Sequence, residues 1–225
     1  MKRDGWCEEI VSRAIPIPVR AYALGVAKKA ARSSISRVIR GVSRLSRSSV
    51  YFLDIGAAAV SIRPRPPHII FVSDLAYMAI HGTIPRYVVG EREMRVLYRG
   101  LVYHSILENL VEHESYFVEL PIWIPISVDG QVYELHGTPD IVLVEDGGAI
   151  VVELKSSDRE ETSIVGMIQG MIYRRMLEDN MIQAICSCLA TPTRTICVRR
   201  RIGIDFIEHL ASLSISPHPS QRWAV

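Results

Sequence analysis

The chain has 225 residues, 48% apolar and 22% charged, the balance of a globular protein with room for one substantial core but not for two full domains. No apolar run approaches the roughly 18 residues that cross a bilayer, and the nearest, residues 50–62, contains Asp54. The formal net charge of +2 hides an asymmetry: residues 1–50 carry eleven basic and three acidic side chains (+8), and the rest carries fifteen and twenty-one (−6). Such a division points to a polyanionic partner. The amino terminus lacks the pattern of an export signal, so the expected compartment is the cytoplasm, with reduced thiols and no membrane partner. Only two Asn and four Gln occur, a depletion of thermolabile amides that hints at a thermophilic source.

Residues 19–47 show apolar positions at three- and four-residue spacing, as in Val19, Ala23, Val26, Ala27 and Ala30, which predicts one helix or two shorter ones broken near Gly25 or Gly41. Arg37, Arg40, Arg44 and Arg47 share one face of its second half with almost no acidic residues to balance them, and are read as contacts to DNA phosphates. Residues 63–67, Arg-Pro-Arg-Pro-Pro, read as a linker. Three segments are therefore expected: a basic, mainly helical extension with its linker (1–67), a core (68–213) and an irregular tail (214–225).

A short helix with Ser73 as N-cap and a longer one over 91–113 open the core. The period then changes to that of strands: 116–126 and 131–136 around a turn, 140–144 and 149–154 around Glu145-Asp-Gly-Gly148, and 183–190 and 195–202 after a helix over 162–179. The continuous apolar character of 140–154 predicts central strands covered on both faces. The sum is an α/β fold, a mixed sheet flanked by helices.

Two strand ends carry the chemistry. Glu153 and Lys155 are two apart and point to one face, with Leu154 turned to the other. As hairpin neighbours, the two strands bring Asp140 close to Glu153. Paired carboxylates repel unless a cation lies between them. Asp140, Glu153 and the Leu154 carbonyl form a set of oxygen ligands suited to Mg²⁺ or Mn²⁺. Lys155 beside them would orient water or stabilise developing negative charge. Gln169 and Tyr173 share a helix face and could hydrogen-bond Lys155 or a phosphate, or simply pack. His104 could be a ligand or a core histidine. Glu108 and Glu119 are read as structural or supporting groups. The remaining histidines show no metal spacing with the cysteines, and no zinc site or Gly-rich phosphate loop is expected.

Gly137-x-x-Asp140, Glu153-x-Lys155 and Gln169-Gly-Met-Ile-Tyr173 resemble, in order and spacing, the RecB-like branch of the PD-(D/E)XK nucleases. Gly100-Leu-Val-Tyr-His104 is similar to that branch's Gly-x-x-x-His helix motif. The segment Ser73-Asp-Leu … Ile84-Pro-Arg86 resembles the CRISPR-associated RecB-family exonucleases. The resemblance implies a restriction-endonuclease-like fold and a Mg²⁺- or Mn²⁺-dependent DNA nuclease, in particular an exonuclease on ends or single strands. It also implies catalytic roles for Asp140, Glu153, Lys155, Gln169 and Tyr173, with His104 a further metal ligand. Protein partners in CRISPR adaptation or recombination repair would follow. The alternatives are a catalytically silent DNA-binding adaptor and an endonuclease for branched DNA.

The CRISPR-associated members usually hold an iron–sulfur cluster on one early and three late cysteines. This chain has Cys7, Cys186, Cys188 and Cys197, but Ile84 stands where the early family cysteine precedes Pro-Arg. The late three fall in strands rather than in a segment beyond them. Residues 186 and 188 share a strand face and could pair with Cys197 across the hairpin. They are read as small buried hydrophobes, with no cluster.

Overall fold

The computed structural model describes residues 5–42, 52–55, 58–61, 68–83 and 91–215. The linker at 63–67, Ile84-Pro-Arg86, Arg44, Arg47 and the tail beyond 215 lie outside them. Two amino-terminal helices, α1 (Trp6–Ala14) and α2 (Ile17–Val42), precede a two-stranded hairpin, β1 (Phe52–Ile55) and β2 (Ala58–Ser61), in a region expected to be mainly helical. Then come β3 (Ile69–Phe71), α3 (Val72–His81), α4 (Glu91–Glu108), β4 (Tyr116–Val118), β5 (Ile122–Val128), β6 (Gln131–Gly137), β7 (Ile141–Glu145) and β8 (Gly148–Leu154). The chain continues through α5 (Glu160–Asp179), β9 (Ala184–Ala190), β10 (Thr195–Val198) and α6 (Ile204–Ile215). The expected mixed α/β architecture is present, as a five-stranded sheet ordered β10-β9-β8-β7-β4 and a three-stranded sheet ordered β3-β6-β5, flanked by helices.

Several boundaries differ from expectation. The strand expected over 116–126 is two: Glu119 adopts φ +48° and Pro121 lacks a donor, so the chain leaves β7 after β4 and pairs again as β5 with β6. Helix α3 begins at Val72 with Phe71 at its N-cap and no side-chain cap, so Ser73 lies inside it. Helix α4 ends at Glu108, short of 113. Gly25 does not break α2, and α6 was not anticipated.

The five-stranded sheet separates two apolar clusters. On one face Val142, Ala149 and Val151 meet α3, α5, α6 and the inner side of the three-stranded sheet. On the other Ile141, Leu143, Ile150, Val152 and Leu154 meet α1, α2 and α4. Residues 5–31 thus share a core with the sheet: Ile10, Val11, Ala14, Ile15, Ala23 and Ala27 are 3% exposed or less. Arg20, fully buried, donates from Nη1 to the carbonyls of Thr191 (2.8 Å) and Arg194 (2.7 Å) and from Nη2 to Thr195 Oγ1 (2.9 Å). No single helix among the described residues is long and apolar enough to cross a membrane.

The cysteines depart furthest from expectation. All four are paired, Cys7 with Cys186 and Cys188 with Cys197. The β9–β10 register sets Cys197 opposite Cys188, and α1 lays Cys7 over Cys186. The first bond joins residues 179 apart. In the chain-entropy view, closing a loop of that size stabilises by about 5 kcal/mol. Alkylation of the unfolded, unreduced protein should therefore label no cysteine, and Cys7→Ser should lower the thermal midpoint by more than 10 °C, since about 1 kcal/mol shifts it by roughly 2–4 °C at this size. Four reactive thiols in unreduced protein would contradict the pairing.

Candidate metal centre

Strands β7 and β8 deliver the two carboxylates. Their antiparallel register sets Ile141 opposite Val152, so Asp140, one residue upstream, comes level with Glu153. Along β8 alternate side chains separate by face, and Glu153 and Lys155 continue the row that Ala149 and Val151 begin on the α5 side. Glu153 is 2% exposed, and Lys155 Nζ donates to its Oε2 at 3.0 Å. Asp140 Oδ2 accepts the Leu154 N–H at 2.7 Å. Its Oδ1 lies 3.1 Å from His104 Nδ1, which reaches in from α4. The Leu154 N–H thus holds Asp140 at the end of the strand pair.

Glu108, one helical turn beyond His104, completes the cluster. Ligand atoms of His104, Glu108 and Asp140 all lie within 4.8 Å of one another. The sequence reading set Glu108 aside as a supporting group. The i, i+4 spacing from His104 was the signal that places both on one face of α4. Glu119 contributes at the margin, where its N–H donates to the Asp140 carbonyl (3.0 Å). Two buried oxygens, Glu153 Oε1 and Glu108 Oε1, have no hydrogen-bond partner among the described residues. Buried carboxylate oxygens without partners are costly, and a cation held by this His-and-carboxylate donor set would satisfy them.

Helix α5 closes the site from above, at a distance only glycine permits. A Cβ on Gly166 would stand 2.8 Å from Leu189 Cδ1 and 3.0 Å from Lys155 Cε, and one on Gly170 3.2 Å from Ser187 Cβ. Gln169, 9% exposed, is buried between them on the helix, and its Oε1 lacks a partner. Tyr173 packs on Gly137, where a Cβ would come 2.2 Å from the ring, and its hydroxyl meets the Thr138 backbone. The Gly137 of the strand motif is thus a seat for the Tyr173 ring. Arg37 and Arg40 lie in the distal half of α2, whose side chains are outside the described set.

The charges are mutually dependent. Burial and then the Asp140 charge push the Glu153 carboxyl up to about 7, against the pull of Lys155. Burial, with Glu119 and Asp140 nearby, raises Glu108 to about 7. Burial opposes ionisation of His104, but the Asp140 charge and hydrogen bond outweigh it and raise its pKa. Asp140 is likewise held below the carboxylate range, because His104, Lys155 and the Leu154 N–H outweigh its burial. Lys155 stays protonated, since Glu153 and Asp140 outweigh its desolvation.

A cleft of about 540 Å³ lies elsewhere, at the far end of β7, lined by Glu112, His113, Glu114, Glu145 and Asp146 with Arg13. It is open and acidic, and its histidine is already engaged, with Nε2 3.0 Å from Glu145 Oε1. The converging donors at Asp140 make the stronger site.

Glu153 and Glu108 bind their protons more tightly folded than unfolded, so their contribution to stability is complete below about pH 4.5 and declines until about pH 7. The raised His104 stabilises below its unfolded value of 6.5 and loses that contribution as pH passes its folded value. All three have the same sign. In EDTA the thermal midpoint should fall between pH 5 and pH 8, and Mn²⁺ should raise it more at pH 8 than at pH 5. A flat profile with no cation effect would contradict the centre. Separately, Gly137→Ala should cost roughly 1–3 kcal/mol or more through overpacking against Tyr173, read by denaturant titration.

No family model and no curated protein matches the chain. Among solved structures it is similar to SSO0001, with TM-score 0.52 and 18% identity over 88% of this chain and 89% of that one. At that identity the likeness concerns the fold alone.

Proposed function

We propose that this protein is a Mg²⁺- or Mn²⁺-dependent deoxyribonuclease of the RecB-like PD-(D/E)XK type, with a restriction-endonuclease-like core, acting on DNA ends or single strands. The observation that carries the reading is the convergence of His104, Glu108 and Asp140 beside a buried Glu153–Lys155 pair at one end of the central strands. His104, Glu108 and Asp140 would hold the cation, with Glu153 next to them. A bound divalent cation would neutralise charge on the phosphoryl oxygens and favour hydroxide over water.

The chain's own groups supply the rest. Lys155, protonated and fixed by Glu153, is a donor toward the negative charge that develops on the phosphate, and can orient the attacking water. Asp140 is held ionised by His104, Lys155 and the Leu154 N–H, which outweigh its burial, so it offers charge without needing to shed a proton. Gln169 presents an amide with spare hydrogen-bonding capacity, suited to positioning Lys155 or the phosphate. The basic amino-terminal helix would grip the DNA backbone, in CRISPR adaptation or recombination repair as the resemblance suggests. Stapling by disulfides fits a thermophilic source, where intracellular disulfides are common.

With end-labelled single- and double-stranded DNA and Mn²⁺, Lys155→Ala and Asp140→Ala should each lose at least about 100-fold in cleavage rate, the scale for deleting one group that stabilises developing charge. Glu108→Gln should weaken the apparent Mn²⁺ affinity about tenfold or more. Cleavage by these variants at the wild-type rate would sink the assignment.

A further inference from the structure

At the opposite end of the central strands the fold builds a second, oppositely charged feature. A cleft of about 360 Å³ is lined by Arg174, Arg199 and Arg201, with Gly147 and Gln183 among its walls. Four parts of the chain converge there: α5, the segment that follows β10, the β7–β8 turn, and Gln183 with the start of β9. Strand β8 separates it from the metal centre by seven residues, about 20 Å of extended chain.

The cleft is organised rather than merely basic. Arg174 is only 5% exposed. Its Nε donates to Glu178 Oε1 (3.2 Å) and its Nη1 to the Arg199 carbonyl (2.8 Å), so the guanidinium is fixed in place. Arg201 Nε lies 3.2 Å from the same Glu178 oxygen. One carboxylate thus serves two arginines, which leaves the Arg174–Glu178–Arg201 group net positive. Burial, and after Glu178 the neighbouring Arg201 charge, disfavour the Arg174 cation. An anion would relieve that crowding. Arginine's planar fork matches phosphate oxygens two at a time.

We propose that this cleft is a phosphate-binding site that holds the backbone of a nucleic acid away from the metal centre. The choice of nucleic acid as the phosphate's source rests on the nuclease reading; the anion chemistry does not. Arg199 and Arg201 are exposed, and the Arg199 carbonyl that anchors Arg174 survives its truncation, so the double variant Arg199→Ala/Arg201→Ala tests the site without dismantling it.

The experiment measures anisotropy of a labelled 20-nucleotide single strand and of the duplex, in EDTA so that no cleavage occurs, across a salt series. The expected result is a loss of about tenfold or more in affinity, with the log–log salt slope smaller by about one to two, as each phosphate contact contributes close to one. Inorganic pyrophosphate should compete with DNA on the wild type and less well on the double variant. Arg13→Ala/Arg175→Ala removes equal charge outside the cleft and should cost markedly less. Equal losses from the two double variants, an unchanged slope, or competition by polyglutamate but not by pyrophosphate would each overturn the proposal. Cleavage of the same DNA in Mn²⁺, followed on both proteins, separates this from the nuclease reading. Binding that depends on the arginines without any cleavage would leave the cleft standing and remove the enzyme.

Discussion

Strand β8 runs apolar on both faces until, in its last turn of alternation, it puts a carboxylate where a core residue would go. Moving an ionised carboxyl out of water is expensive unless the protein rebuilds its solvation. Here the rebuilding is partial. Lys155 takes one oxygen of Glu153, and a backbone N–H and His104 take both oxygens of Asp140. One oxygen each of Glu153 and Glu108 is left without a partner. The deficit is local and negative, and it is enclosed by walls that are otherwise dry. A cation would complete such a place, and the surrounding elements enclose it.

Helix α4 must end where it brings His104 and Glu108, both on one face, to the mouth of the β7–β8 pair. Tyr103 and Leu107, the neighbouring positions on that helix, anchor it in the apolar cluster behind the sheet. Helix α5 must then lie close enough to exclude water from Lys155 while leaving its stem room. Gly166 and Gly170, four apart, make that approach possible. Each carries an entropic cost in a helix, about 1 kcal/mol relative to alanine, which the close packing offsets. The same logic explains Gly137, whose missing side chain is the space taken by the Tyr173 ring.

How much of this could be read beforehand follows from range. The continuous apolar run of 140–154, the turn at Glu145-Asp-Gly-Gly148 and the two-residue alternation of Glu153 and Lys155 are local signals, and they placed Asp140 beside Glu153 correctly. Helix α5 was legible for the same reason. The break at Glu119 was not, because the local pattern marks it only by Pro121, and the different partners of β4 and β5, β7 and β6, are settled by pairing across the sheets. Helix α3 lacks a side-chain cap, so a cap-based reading started it late. Glu108 was passed over because its spacing from His104 is equally that of an ordinary solvated face; the hairpin that brings Asp140 against it comes some thirty residues later. The cysteine pairs needed the register of β9 on β10 and the docking of α1, neither of which composition reveals.

The amino-terminal helices are joined to the Lys155 end of β8 by more than apolar contact. Arg20 on α2 holds the carbonyls of Thr191 and Arg194 and so fixes the turn between β9 and β10. The hydroxyls of Thr191 and Thr193 in that turn bond Asp158, three residues beyond Lys155, and the Lys155 N–H meets the Ala190 carbonyl at 3.1 Å. A chain of short hydrogen bonds thus runs from a buried arginine in the basic segment to the backbone that presents the lysine. Losing Arg20 would take its donor from the Thr191 carbonyl in a buried place, leave the Arg194 carbonyl with only the Thr191 donors, and loosen the 156–159 loop at its far anchor. The disulfide from α1 to β9 secures the same junction a second way. The basic amino-terminal segment that sequence alone sets apart is, over residues 5–31, one of the walls that keep the end of β8 in place.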